Sequence, residues 1–74
     1  MEIRDIEEVG YGLVLLQEIC QGYDNGIYRA RATRMLAHGG DRYISGYLLP
    51  RWAYGKLSTT AFIQKIEQYL NDAK

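Results

Sequence analysis

A long amphipathic stretch near the N-terminus, from Asp5 to Gln21, constrains the fold more than any other feature of this chain. Its apolar residues recur at steps of three and four, the spacing that lines one face of a helix. That face consists of Ile6, Val9, Leu13, Leu16 and Cys20, with Leu15 and Ile19 widening it and Val14 beside it. Since the predicted helix is apolar over more than half of its circumference, the rest of a small protein or a partner must cover it.

Two glycines interrupt this predicted helix, and each costs about 1 kcal/mol relative to alanine in a helix interior. Either the helix starts near Tyr11, or a neighbouring element packs against the bare backbone at Gly10 and Gly12. Because the apolar face runs through both glycines, we expect a continuous helix with a weak point. Gly22 follows the last apolar turn and is predicted to cap the helix.

A second helix is predicted from Gly26 or Ile27 to His38, with Asp24 or Asn25 placed to cap its first amides. At the helical period it carries two separate stripes of side chains. The core stripe consists of Tyr28, Ala32, Met35 and Leu36, and the basic stripe of Arg31, Arg34 and His38. Two successive glycines, at positions 39 and 40, are predicted to end this helix.

A third, shorter helix is predicted from Arg42 to Leu48, with Asp41 as its N-cap. Proline disfavours helical geometry in the residue before it, so Pro50 is predicted to interrupt this helix. The same proline then opens one further short turn, which holds Trp52.

The fourth predicted helix has the best-marked start, because Ser58 is a good N-cap and Leu57 can contact Phe62 across the first turn. Its apolar stripe continues to about Asn71, and the chain has no alternating run long enough to indicate a strand. We therefore predict an all-α fold. It is a small bundle of about four helices, with the third short and interrupted, in a single domain over residues 1–74.

The charges of this chain cancel overall but are segregated along it. Residues 1–27 contain six acidic residues and one basic residue, a net charge of −5, whereas residues 28–56 contain six basic residues and one acidic residue, a net charge of +5. Three explanations are open. The acidic helix packs beside the basic middle segment of the same molecule, two copies pair their opposite segments in a symmetric dimer, or the basic segment binds an anionic partner.

Cys20 and His38 are the only candidates for nucleophilic chemistry. Cys20 lies on the apolar face of the first helix and is therefore predicted to be buried and unreactive, while His38 is predicted at a helix end on the surface. One cysteine and one histidine cannot supply the four ligands of a usual zinc site. We expect no catalytic residues, no metal and no cofactor, and hence a protein that is not an enzyme.

The middle segment interleaves arginine with aromatic residues, a composition typical of surfaces that bind other proteins. The candidate partner-binding residues are Tyr28, Arg31, Arg34, His38, Arg42, Tyr47, Arg51 and Trp52. We expect a non-enzymatic protein-binding module, such as a small adaptor, regulator or inhibitor. The alternative is a small nucleic-acid-binding regulator, because arginines neutralise phosphates and aromatic rings stack on bases. A sequence pI of about 6.5 and a poor fit to helix-turn-helix spacing weigh against that alternative, and a Cys/His enzyme is a distant third.

Three features predict a cytoplasmic protein without a membrane segment. The longest unbroken apolar run, Leu13 to Leu16, is far too short to cross a bilayer, and the N-terminus is acidic, unlike a signal peptide. The single cysteine agrees with a reducing compartment. We expect another protein as the partner, and a homodimer through the first helix, where glycines permit close approach and Tyr11 and Val14 extend the apolar surface.

Overall fold

The computed structural model describes residues 3–72, which form an all-α fold, as predicted. The helices are α1 (Ile6–Cys20), α2 (Gly26–Gly39), α3 (Leu49–Ala53) and α4 (Thr59–Asp72), and a π-helical turn at Ile44–Leu48 leads into α3. No strand occurs within these 70 described positions. The predicted domain of residues 1–74 extends two residues beyond the described part at each end.

Local capping chemistry fixes both ends of α1. Asp5 is the N-cap, and its carboxylate accepts hydrogen bonds from the amides of Glu7 at 3.1 Å and Glu8 at 3.3 Å. After the helix, Gly22 adopts a positive φ of 119°, and the amide of Tyr23 donates to the carbonyl of Glu18 at 3.0 Å. This is the left-handed glycine cap predicted from the sequence.

The buried face of α1 is rotated from the one predicted. It runs through Val9, Gly12, Leu16 and Ile19. Ile6 is 58% exposed, and Cys20 is exposed as well, so the prediction that Cys20 is buried is wrong. The physical reason is Gly12, whose missing side chain leaves a space that the side chain of Leu36 on α2 fills. The centre of the buried face therefore moves away from Ile6 and Cys20.

α1 and α2 pack antiparallel, and Gly12 is where they interlock. A Cβ atom on Gly12 would lie 2.7 Å from Cγ of Leu36, which is fully buried against this glycine. The helix is continuous through Gly10 and Gly12, as expected. The neighbour that packs against the bare backbone at Gly12 thus belongs to the same chain.

The end of α2 closes tightly on the start of α1. The amide of Asp5 donates to the carbonyl of Gly39 at 3.0 Å. A Cβ atom on Gly39 would lie 2.6 Å from the carbonyl oxygen of Asp5 and 2.7 Å from Cβ of Glu8. Gly39, which the sequence marked only as a helix end, therefore makes a backbone-to-backbone contact that no larger residue permits.

The regular α-helix is interrupted just before Pro50, as predicted, but by a π turn and not by a break in the helical backbone: Ile44–Leu48 leads directly into α3, which has Pro50 in its first turn. Residues 42–53 are helical throughout, and the amide of Leu49 donates to the carbonyl of Ile44, five residues back, within the π turn. Proline has no amide hydrogen, and in a regular α-helix its ring collides with the carbonyl four residues earlier. The wider π turn directly before Pro50 changes the hydrogen-bond register, so the helix bulges instead of ending.

Ser58 begins α4 as predicted, since its hydroxyl oxygen accepts a hydrogen bond from the amide of Ala61 at 3.1 Å. Phe62 and Ile66 are fully buried on this helix. Trp52 also belongs to the core, because it is only 3% exposed and its ring packs against Phe62 at 5.3 Å between centroids. Its indole nitrogen donates to the hydroxyl of Thr59 at 2.9 Å, which ties α3 to the first turn of α4.

Two glycine-to-alanine substitutions test this packing in opposite directions. Gly39→Ala is expected to lower the free energy of unfolding by about 1–3 kcal/mol, because the added methyl overpacks the junction of α1 and α2. Gly10→Ala is expected to raise it by up to about 1 kcal/mol, because Gly10 has open space around it within a helix. Urea denaturation measures both values, and two changes of the same sign would contradict the packing described.

Candidate functional site

The structure places six of the eight predicted partner-binding residues on the surface. Arg31, Arg34 and His38 are exposed on α2, and Arg42, Tyr47 and Arg51 are exposed along residues 42–53. Tyr28 is half-buried. Trp52 lies in the core and is not available to a partner. On α3, its ring packs against Phe62, and its indole nitrogen donates to the hydroxyl of Thr59 on α4.

The basic middle segment is almost free of internal ion pairs. Within residues 3–72 the one pair closer than 4 Å joins Arg29 to Asp24, at 2.5 Å from Nε to Oδ1, with a second contact of 3.0 Å from Nη2 to Oδ2. This hydrogen-bonded pair lowers the pKa of Asp24 and raises that of Arg29. Direct ion pairs therefore do not hold the acidic α1 against the basic segment, and the remaining cations face solvent.

Tyr47 occupies the centre of an ordered aromatic and cationic row. The ring of Tyr43 stacks on it at 5.6 Å with an interplanar angle of 15°, and the guanidinium of Arg51 lies 4.9 Å from its centroid. Tyr43 is four residues before Tyr47 and Arg51 four residues after it, so all three side chains lie along one stretch of the helical segment. The ring of Tyr47 is therefore partly engaged within the protein, and its hydroxyl oxygen accepts a hydrogen bond from Nη1 of Arg51 at 3.2 Å, yet the residue is still 52% exposed.

Asp41 anchors the other end of this row. It is 8% exposed, and one carboxylate oxygen accepts hydrogen bonds from the amides of Tyr43 and Ile44, both at 3.1 Å. The second oxygen accepts a hydrogen bond from the hydroxyl of Tyr69 on α4, whose ring is tilted against Tyr43 at 4.5 Å. The N-cap role of Asp41 was predicted, whereas its link to Tyr69 was not.

These hydrogen bonds perturb the titration of both groups. Burial acts to raise the pKa of Asp41, but the hydrogen bonds from Tyr69, Ile44 and Tyr43 outweigh it and lower that pKa below its ordinary value of 3.8. The hydrogen bond to Asp41, together with desolvation, raises the pKa of Tyr69 from 10.0 to about 12. The pair is therefore most favourable with Asp41 ionised and Tyr69 protonated.

A small cavity of about 150 Å³ lies beside Tyr47, between α3 and α4. Its lining residues are Tyr47, Leu48, Arg51, Lys56, Leu57 and Lys65. Neither Lys56 nor Lys65 was among the predicted partner-binding residues. Gly55, a helix-ending glycine, is the local sequence signal for the position of Lys56. No local signal connects Lys65 with Arg51, because Lys65 belongs to a different helix.

The structure separates Cys20 from His38. Cys20 is at the end of α1 and His38 near the end of α2, so the antiparallel packing places them at opposite ends of the hairpin. The nearest polar partner of the thiol is the hydroxyl of Thr60, 3.6 Å away at a shallow groove between α1 and α4. Between residues 3 and 72, no three His, Cys, Asp or Glu side chains are grouped closely enough to hold a metal ion.

Two further observations bear on function. Over the described part of the chain, none of the helices combines the length and the apolar character needed to cross a membrane. Comparisons with family models, with characterised proteins and with solved structures found no match to this chain. Function is therefore inferred from its own residues.

The Asp41–Tyr69 pair is expected to make stability depend on pH at both extremes. Because the pKa of Asp41 is lowered, its contribution is present above pH 3.8 and is lost as the pH falls further. Because the pKa of Tyr69 is raised, its contribution is complete below pH 10.0 and is lost as the pH rises toward about 12.

The contribution of Tyr69 is lost between pH 10.0 and about pH 12. Urea denaturation from about pH 9 to about pH 12 should therefore show a smaller loss of unfolding free energy for Tyr69→Phe than for the wild-type protein. Tyr11→Phe is the matched control, because Tyr11 is 62% exposed, and it should keep the wild-type loss. Equal alkaline losses in the wild type and in Tyr69→Phe would contradict the assigned hydrogen bond.

Proposed function

We propose that this chain is a non-enzymatic cytoplasmic protein-binding module whose partner presents an acidic surface. The binding surface consists of Arg31, Arg34, His38, Arg42, Tyr47 and Arg51, here called the basic surface. One observation carries the proposal. Each of these arginines is exposed, and none of them has a carboxylate within 4 Å among residues 3–72.

Exposed arginine without an internal partner is well suited to binding carboxylates of another protein. Its planar guanidinium presents several N–H donors that match a carboxylate in pairs. Arginine and tyrosine also contribute disproportionately to the energy of protein–protein interfaces. Since Arg51 is already held against Tyr47, less side-chain entropy is lost when this part of the surface binds.

The same geometry favours a protein partner over a nucleic acid. Stacking of bases requires exposed aromatic faces, yet the ring of Tyr47 already stacks with Tyr43 and contacts the guanidinium of Arg51, and Trp52 is buried. The acidic α1 adds repulsion toward a polyanion, and the chain has no net charge. A nucleic-acid-binding regulator remains the second candidate, because the unpaired arginines would also neutralise phosphates.

A second copy of the chain is a further candidate partner, at the outer face of α1. Tyr11 is 62% exposed and Val14 50% exposed, and Gly10 has open space beside it. Gly12, by contrast, is filled by Leu36 and cannot receive another backbone. Sedimentation equilibrium of the purified protein distinguishes this case, because a species of 8.5 kDa at all concentrations excludes a homodimer.

Affinity capture with matched variants tests the proposed function. The basic-surface variant carries Arg31→Gln, Arg34→Gln and Arg42→Gln, and the control carries Glu7→Gln and Glu18→Gln on α1. We expect the wild type and the control to retain the same protein partner from a lysate of the source cells, and the basic-surface variant to lose it. Raising the salt concentration should weaken capture, because dissolved ions screen the attraction between exposed charges on the two proteins.

Nuclease treatment separates the two main candidates in the same experiment. A protein partner should remain after nuclease treatment, whereas recovery that nuclease abolishes would favour the nucleic-acid candidate. A partner that all three baits retain equally would contradict the assignment of the basic surface. The circular dichroism spectra of the variants must match that of the wild type before these results are compared.

A further inference from the structure

We propose that the cavity between α3, the turn that follows it and α4 binds a single phosphate group. Three cations line this cavity of about 150 Å³, and no acidic residue does. They are Arg51 on α3, Lys56 in the turn and Lys65 on α4. Three separate parts of the chain thus each contribute a basic residue to the lining of one small space.

The backbone at the end of α3 brings Lys56 beside Arg51. Gly55 has a positive φ of 75°, a conformation that side chains disfavour, and its amide donates to the carbonyl of Trp52 at 3.1 Å. The amide of Lys56 then donates to the carbonyl of Arg51 at 2.7 Å. This fold-back is a glycine-dependent helix cap, and it fixes the spacing between the two cationic residues.

Tyr47 orients Arg51 at the cavity and retains a donor of its own. Nη1 of Arg51 donates to the hydroxyl oxygen of Tyr47 at 3.2 Å, and the guanidinium lies against the tyrosine ring. Because the Tyr47 hydroxyl accepts in this contact, its proton is free for an oxygen atom in the cavity. The remaining N–H groups of Arg51 provide further donors in a fixed plane.

The electrostatics of the cavity favour a multiply charged anion. Within residues 3–72 none of the three cations has a carboxylate within 4 Å, so their mutual repulsion is not offset by the protein. Leu48, which is 1% exposed, and the half-buried Leu57 supply an apolar floor, which strengthens charge interactions above it. A dianionic phosphate relieves the repulsion and accepts several hydrogen bonds at once.

The size of the cavity limits what enters it. At about 30 Å³ per water molecule, it holds roughly five waters, which is room for one tetrahedral oxyanion. Pockets for drug-sized ligands run from roughly 300 to 1,000 Å³, so a whole nucleotide does not fit inside. The ligand is therefore inorganic phosphate, or the phosphate ester of a molecule whose remainder lies outside.

This inference stands on the cavity and not on the protein partner proposed above. Arg51 and Tyr47 belong to both the basic surface and the cavity, but Lys56 and Lys65 belong to the cavity alone. Substitution of Lys65 therefore tests phosphate binding without altering the arginines of α2. Substitution of Arg31 and Arg34 tests partner capture without altering the cavity.

The test is a titration of the ¹⁵N-labelled protein with inorganic phosphate, with sodium chloride adjusted to keep the ionic strength constant. We expect saturable shifts of backbone amide resonances clustered at Arg51, Lys56, Leu57 and Lys65. A parallel titration with phosphoserine blocked at both termini distinguishes the two sources of phosphate. Binding of the ester at least as tight as that of inorganic phosphate identifies an esterified ligand, and much weaker binding identifies inorganic phosphate.

Single substitutions locate the site. Lys65→Gln and Arg51→Gln should each weaken phosphate binding about tenfold, the loss expected from one charge-assisted hydrogen bond. Arg31→Gln and Arg34→Gln remove the same charge from exposed positions on α2. Because salt screens such distant surface charges, each should change the affinity for phosphate by less than about twofold. Lys56→Gln provides a third cavity variant should either of the first two disturb the fold.

Three results would overturn the proposal. The first is the absence of saturable shifts with both phosphate probes. The second is a set of shifts spread over the basic residues of the whole chain, which indicates general screening. The third is an equal loss of affinity in Arg31→Gln and Lys65→Gln, since a site formed by the cavity does not depend on Arg31.

Discussion

The short segment from Gly39 to Asp41 joins three helical segments of this chain. Gly39 lets the end of α2 touch the backbone at the start of α1, at a separation that a Cβ atom would not permit. Two residues later, the buried carboxylate of Asp41 caps the next helical segment and binds the hydroxyl of Tyr69 on α4. Three junctions between helices thus meet within three residues, which in a chain of 74 residues leaves little freedom for the remaining segments. The cavity and the basic surface take their positions from these junctions, because residues 42–53 carry Arg42, Tyr47 and Arg51.

Local chemistry in the sequence was sufficient to predict most of the helices, and the features of the helices that it missed have two different physical causes. The caps at Asn25, Asp41 and Ser58 depend on side chains bonding to amides two or three residues away, so they are legible in the sequence. The exposure of Cys20 was not legible in the sequence, because Leu36 on α2 fills the space over Gly12 and so decides which face of α1 is buried. The π turn before Pro50 was also not predicted, since a π turn has no sequence signature comparable to that of proline itself.

The surface was predictable where helical periodicity defines it and not where distant segments converge. Arg31, Arg34 and His38 are exposed because they lie opposite the core stripe of α2, as their spacing indicates. Trp52 was misplaced on the surface because the short α3 has too few residues to show a periodic face. Lys56 and Lys65 join Arg51 around one cavity only through the fold-back at Gly55 and the docking of α4, and neither is visible in local spacing.

Asp41 ties helices together and is more than a helix cap, and a comparison with Asp5 tests this role. Both aspartates cap a helix through two amides, but Asp5 is exposed, whereas Asp41 is buried and binds Tyr69. In urea denaturation, Asp5→Ala should lower the free energy of unfolding by about 1 kcal/mol, the usual cost of losing an N-cap. Asp41→Ala should lower it by about 2 kcal/mol or more, because the buried network loses its shared acceptor. Equal losses for the two substitutions would contradict the claim.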